Sequence, residues 1–219
     1  MYDSHPSDLG TRAELSPPKT LRLTQSPFIE ILITAGVLVI AIALLMAIHL
    51  RGGDVAVALS DPATYAGGPF FLGAISNGGI VVLIIAATTT MMATALRAPR
   101  ARLLGWVSLL SALLALDDLF LLHDGPIRDL LPWFEMVMFA LYGCAATAIL
   151  WMQRAYLAQV RHLPLVLSVL CLALSVTLDA MPAAIAVPNA TEDLCKFAGF
   201  LLWSSYWSKL SFEAITLRF

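Results

Sequence analysis

Charge is what this chain has least of. Lysine, arginine, aspartate and glutamate together make 13% of its 219 residues, against about 25% in a soluble domain. So few charges cannot cover a water-facing surface. A net charge of −2 offers no basic field for nucleic acid, and no nucleic-acid partner is predicted. Cysteine is scarce too. Cys144, Cys171 and Cys195 form no CxxC, which excludes a zinc ribbon or a thioredoxin-type redox centre. Each lies in an apolar run and reads as a small core residue. No Walker loop, dinucleotide fingerprint, HExxH or GxSxG is present, so the familiar phosphate, hydride and hydrolytic signatures are missing. No repeat, direct or inverted, relates one half to the other, which weighs against a transporter built from repeats. The first 26 residues hold Pro6, Pro17 and Pro18 among mixed charges. They lack the basic-then-apolar order of a secretory signal and read as a polar cytoplasmic tail.

What is there is apolar sequence, 59% of the chain. A helix needs about 20 apolar residues to cross roughly 30 Å of hydrocarbon. Six runs qualify, at about residues 27–50, 69–96, 102–123, 132–157, 163–181 and 190–215. Pro27 suits a helix start, Gly125-Pro126 ends the third run, and Pro182 ends the fifth. Asn189 or Thr191 can cap the sixth. The predicted fold is an all-α integral membrane bundle of six transmembrane helices, residues 27–219, behind the tail of residues 1–26.

The basic residues set the orientation. Arg12, Lys19, Arg22, Arg97, Arg100, Arg102, Arg154, Arg161, Lys209 and Arg218 put ten of thirteen bases on one side. That side is predicted to be cytoplasmic, with both termini there, in a bacterial inner membrane. Ten of fifteen acids fall on the other side. Lys209 and Glu213, four apart at the cytoplasmic end, read as solvated anchors.

One stretch, Ser111 to Glu135, concentrates acids inside apolar sequence, where carboxylates need partners or a purpose. It carries Asp117, Asp118, His123, Asp124 and Glu135. Asp179 on the fifth run and Glu192, Asp193 and Lys196 on the sixth arrive at the same membrane side. Asp117 and Asp124 are seven apart and share a helix face, and Asp118 shares another with Ser111. Asp117 lies six residues, about 9 Å, below the helix end. Only one of the adjacent aspartates is expected to point at the last two helices. On the sixth run Glu192 and Lys196 are four apart in the favourable order, and their stripe continues through Gly199, Trp203 and Tyr206.

Carboxylates with one imidazole suit a divalent metal, and clustered carboxylates can hold a proton. The leading expectation is a metal- or proton-binding site at the outer face of helices three to six. Its ligands would be Asp117, Asp118, His123, Glu135 and Asp179. Asp118 and His123 would be the catalytic pair if it hydrolyses a lipid-like substrate. Asp124, Glu192, Asp193 and Lys196 would form ion pairs or a proton relay. The alternative is a non-catalytic subunit of a larger membrane complex, with the acids locking helices or subunits and the tail docking on other subunits. A second alternative is a proton- or cation-coupled transporter. Haem at His49 and His123 is not expected, because their spacing carries no motif. Retinal on Lys196 is not expected either, because that lysine sits near a helix start.

Ser111, Asp118 and His123 distantly resemble part of the outer or luminal Ser, Asp and His set of the membrane metal-hydrolase superfamily that includes alkaline ceramidases and progestin-type receptors. That resemblance implies a metal-dependent hydrolase. The chain departs from it in helix count and in lacking the paired late histidines, and the likeness covers one helix.

Overall fold

The computed structural model describes residues 27–59, 73–120, 133–152, 154–157, 162–179 and 189–218, with the backbone alone at 27, 56, 135, 156, 157 and 189. Within them every regular element is a helix. They are α1 (Pro27–Leu50), α2 (Val55–Leu59), α3 (Ala74–Ala95), α4 (Ala101–Phe120), α5 (Phe134–Met152), α6 (Arg154–Leu157), α7 (Leu163–Asp179) and α8 (Asn189–Thr216). The long helices α1, α3, α4, α5, α7 and α8 lie where the six apolar runs place them. The short α2 was not expected from apolar length.

Phe28–Leu50, Ala74–Ala95 and Ala101–Phe120 are long and apolar enough to cross a membrane; Met136–Met152 and Leu163–Asp179 are apolar but shorter. These helices turn large apolar side chains outward. Leu32, Ile40, Val81, Leu116, Met136 and Leu170 are all at least half exposed or nearly so, a surface consistent with contact with a lipid bilayer.

The middle of the molecule is α8, the most polar of the long helices by composition. It packs extensively against α3 and α7, and also touches α1, α2 and α4. A helix covered on several sides by other helices does not have to satisfy lipid. Its serines and lysines find partners, and its small residues let neighbours approach. Trp207, Tyr206 and Leu210 of α8 are fully buried, with Leu83 of α3 and Leu104 and Val107 of α4 in the same core. A smaller core joins Ala41, Leu45 and Ile48 of α1 to Leu59, Ile75 and Phe197.

The side-chain bonds give the helix directions. Thr89 Oγ1 and Ser208 Oγ lie 3.0 Å apart, and ten residues earlier Gly79 meets Phe200, so α3 and α8 run parallel. The glycines of the Ser76-Asn77-Gly78-Gly79 sequence make this approach possible. A Cβ at Gly79 would stand 3.2 Å from the Phe200 ring, and one at Gly78 3.3 Å from Phe197. In contrast, Ser111 meets Trp203 and Asp118 meets Lys196. As α4 rises from 111 to 118, α8 falls from 203 to 196, so the two are antiparallel. The α4 pair and the α8 pair are each seven residues apart, two helical turns, and the faces match without a register slip.

Candidate functional site

Consecutive residues on a helix point about 100° apart, and this separates Asp117 from Asp118. Asp118 turns to α8, where the Lys196 ammonium donates to its Oδ1. Asp117 turns to α5, where its carboxylate lies near the Tyr142 hydroxyl. Both aspartates are buried, at 4% and 6% exposure. Of the adjacent pair, then, it is Asp118 that faces the last helix.

The Asp118 pair sits above a second polar contact on the same two faces. Trp203 Nε1 donates to Ser111 Oγ at 2.9 Å, with both residues buried. Ser111→Ala would leave that indole N–H without its acceptor. We expect the variant to lose about 1–2 kcal/mol of stability, read by thermal unfolding of the purified protein, whereas Ser205→Ala should change little. Ser205 is only partly buried and bonds its own helix at Leu202 O.

Beside the Asp118–Lys196 pair lies a small open cleft. Ile75, Ser76, Asp118, Asp193, Lys196 and Phe197 line it, among others. One lysine thus stands with two carboxylates on partly apolar walls. Lys196 also lies 6.0 Å from the Phe200 ring centroid.

The remaining expected residues are dispersed. Glu192 is half-buried on the first turn of α8, one turn before Lys196, and Asp179 is exposed at the last residue of α7. Glu135 stands in the first turn of α5, where the backbone alone is described, and His123 and Asp124 lie outside the described residues. Among the described residues, no three histidine, cysteine, aspartate or glutamate side chains come together as a group able to hold a metal. Cys144, Cys171 and Cys195 are free thiols.

The structure also contains a charged pair that sequence reasoning missed. Lys209 Nζ donates to Glu30 Oε1 at 2.5 Å, with the two side chains 14% and 9% exposed. Lys209 is therefore not the solvated anchor expected from its spacing to Glu213. The sequence of α1, apolar on nearly every side, shows no stripe that marks Glu30; the burial pattern does. Glu30, Thr34, Ala41, Leu45 and Ile48 are its buried residues, and their spacings of 4, 7, 4 and 3 trace one helix face. Glu30 heads that face, which marks it as inward.

α8 is thus held by a lysine–carboxylate pair toward each end, thirteen residues or about 20 Å apart. This arrangement ties three helices, α1, α4 and α8, by charge.

No curated protein and no solved structure is similar to this chain at a significant level. The family described as "Domain of unknown function (DUF8692)" matches residues 31–210, from Ile31 of α1 to Leu210 of α8. That match includes Asp117, Asp118, Tyr142, Lys196 and Lys209, and the chain belongs to the DUF8692 family.

Proposed function

We propose that this protein is a non-catalytic, six-span component of a bacterial inner membrane, with both termini cytoplasmic, whose buried carboxylates lock its helices together. One observation carries the reading: Asp118, expected to ligate or catalyse, is engaged by Lys196. A carboxylate in apolar surroundings needs a counter-charge, and here a neighbouring helix supplies it. The bases on the Arg97–Arg102 turn and on the tail support the orientation. Membership of a larger complex finds support in α5, which meets the rest of the bundle chiefly along α4. Its outward surface includes Gly143, Cys144 and Thr147, small residues that suit close approach of another helix.

The lock reading predicts an asymmetric mutant cycle. Asp118 is almost wholly buried, while the Lys196 side chain is 31% exposed. Lys196→Met strands a carboxylate and should cost about 2–3 kcal/mol, less than for a fully buried pair. Asp118→Asn strands an ammonium that can reach water and should cost about 1 kcal/mol. The double variant should recover at least about 1 kcal/mol of the summed loss. Thermal unfolding in detergent measures all three, and elemental analysis of the same preparations accompanies it. Additive losses, or one equivalent of divalent metal that Asp118→Asn removes, would replace the lock with the metal-site reading. Co-purification of a stoichiometric partner from the native membrane tests the subunit proposal.

A further inference from the structure

The turn between α3 and α4 is unusually well tied. Arg97 N–H donates to Thr94 O at 2.9 Å, and Ala98 N–H reaches back to Ala93 O at 3.0 Å. This is the double bond pattern that closes a helix C-terminus. Ala98 is buried in the main core with Ala93. Thr94 Oγ1 donates across the turn to Ala101 O at 3.1 Å. Leu104 N–H then donates to Arg100 O at 3.1 Å, which makes Arg100 the cap of α4.

Two positions in this turn are left-handed, and both are arginine: Arg97 at φ 51° and Arg100 at φ 67°. Elsewhere among the described residues the left-handed positions are Gly52 and Gly73. Glycine takes that conformation without steric penalty and arginine does not. Arg97 at least has a favourable pole, the C-terminus of α3. Arg100 and Arg102 do not: they stand at the positive start of α4, whose first turn holds no acid. Arginine has no acceptor with which to cap the amides there. The local backbone and the helix dipole both argue against these residues.

Arg97, Arg100 and Arg102 are all exposed. Just along the helices the exposed surface becomes apolar, with Met91 at 56%, Met92 at 54% and Trp106 at 51%. Trp106 is one turn from Arg102 on the same face. Three exposed arginines thus border an exposed apolar surface. We propose that this turn is a binding surface for the headgroup of an anionic phospholipid. The phosphate accepts hydrogen bonds from the guanidinium groups of the turn, and the acyl chains lie along Met92 and Trp106. Guanidinium groups bind phosphate oxygens through paired N–H donors, and basic residues at a membrane surface gain from anionic lipid. The apolar surface favours a lipid over a free phosphate. The inference rests on the membrane reading above.

The test uses the full chain purified in detergent, with phosphatidylglycerol, phosphatidylcholine or inorganic phosphate added and thermal unfolding as the readout. Phosphatidylglycerol should raise Tm saturably by about 5 °C, and the other two should not. Arg97→Gly/Arg100→Gly removes two charges while relieving the backbone. It should raise the lipid-free Tm by about 2–4 °C and abolish most of the phosphatidylglycerol shift. Arg102→Gln, within regular helix, should weaken apparent lipid affinity about 5–10-fold and serves if the double variant misfolds. Arg51→Gln should leave the shift intact, since Arg51 follows α1 at the end opposite to Glu30 and Lys209. An equal response to phosphatidylcholine, or a full shift surviving in the variants of the turn, overturns the proposal. A shift produced by inorganic phosphate alone replaces the lipid with a free anion. A chain that stays in solution without detergent would refute the membrane reading itself, a result separate from lipid indifference in a detergent-soluble protein.

Discussion

Lys209→Met is expected to cost about 3–5 kcal/mol, the largest loss from any single charge change in this protein. The reason is burial. Glu30 and Lys209 have side chains only 9% and 14% exposed, and removing the ammonium leaves a carboxylate in an apolar wall. Neither group can turn far toward water, which distinguishes this pair from Lys196 with Asp118. Glu30→Gln should be milder, about 1–2 kcal/mol, because the amide oxygen can still accept from Lys209. Replacing both at once, Glu30→Leu with Lys209→Met, should return stability to within about 1 kcal/mol of the parent or above it, since a well-packed apolar pair needs no desolvation. Unfolding in detergent gives the three values. Limited proteolysis adds a spatial readout. α1 is joined to α8 by this pair at one end and by the cluster around Ala41, Leu45 and Ile48 further along. Lys209→Met should therefore release the Glu30 end of α1 to cleavage before the rest of the bundle. A loss under about 0.5 kcal/mol would mean that the pair is solvated, as the Lys209–Glu213 spacing suggests.

The buried Glu30–Lys209 pair marks how far a sequence of this kind can be read. The long helices are legible because apolar length and Pro or Gly breaks are local properties. So is the small-residue approach at Gly78 and Gly79. The facing stripes are legible as well: Ser111 and Asp118 on one helix, Lys196 and Trp203 on another, each seven apart. What no single stripe reveals is which other stripe it meets and in which register. That is a property of the assembled bundle, and it decides whether Asp118 is a ligand or half of an ion pair. Asp117 and Asp118 look like parts of one acidic site because they are adjacent. Adjacency on a helix separates side chains by about 100°, and the two carboxylates engage different helices, α5 and α8. α8 is hard to rank for the opposite reason. Its composition is the most polar of the long helices because its neighbours, rather than lipid, surround it. Glu30 is easily passed over because an acid in a first helical turn is usually explained by the dipole, and only the full inward face of α1 argues otherwise.

Gly199→Leu is the second large effect, and it tests whether α8 really is the packed centre. A Cβ at Gly199 would fall 2.6 Å from Leu172 Cγ and 3.3 Å from the Leu172 backbone nitrogen. Cγ is the branch point of that side chain, so a rotamer change alone gives little relief, and α7 itself must move outward. The same displacement would break the bond from Ser168 Oγ to Gly199 O, 2.8 Å long and fully buried. Overpacking of about 3 kcal/mol and a lost buried hydrogen bond of about 1 kcal/mol together outweigh the roughly 1 kcal/mol that any residue gains over glycine in a helix. The net loss should be about 3 kcal/mol, and Gly199→Ala should fall between this and the parent. Gly143 supplies the control. It lies inside α5, and a Cβ added there would meet nothing within 4 Å. Gly143→Ala should therefore gain the helix preference, about 0.5–1 kcal/mol, with no steric cost. Unfolding of the variants side by side separates the two contributions. If Gly199→Leu were tolerated as well as Gly143→Ala, α7 would not be seated on α8. The lock at Asp118 would then act in a looser bundle than the contacts around Gly199 require. If the loss is as large as expected, α8 is fixed on two sides at one level, by Leu172 and Ser168 of α7 and by the Gly78–Gly79 approach of α3. A helix so fixed can hold Lys196 and Lys209 in place for their carboxylates, which is what a structural lock needs and a mobile transport helix does not.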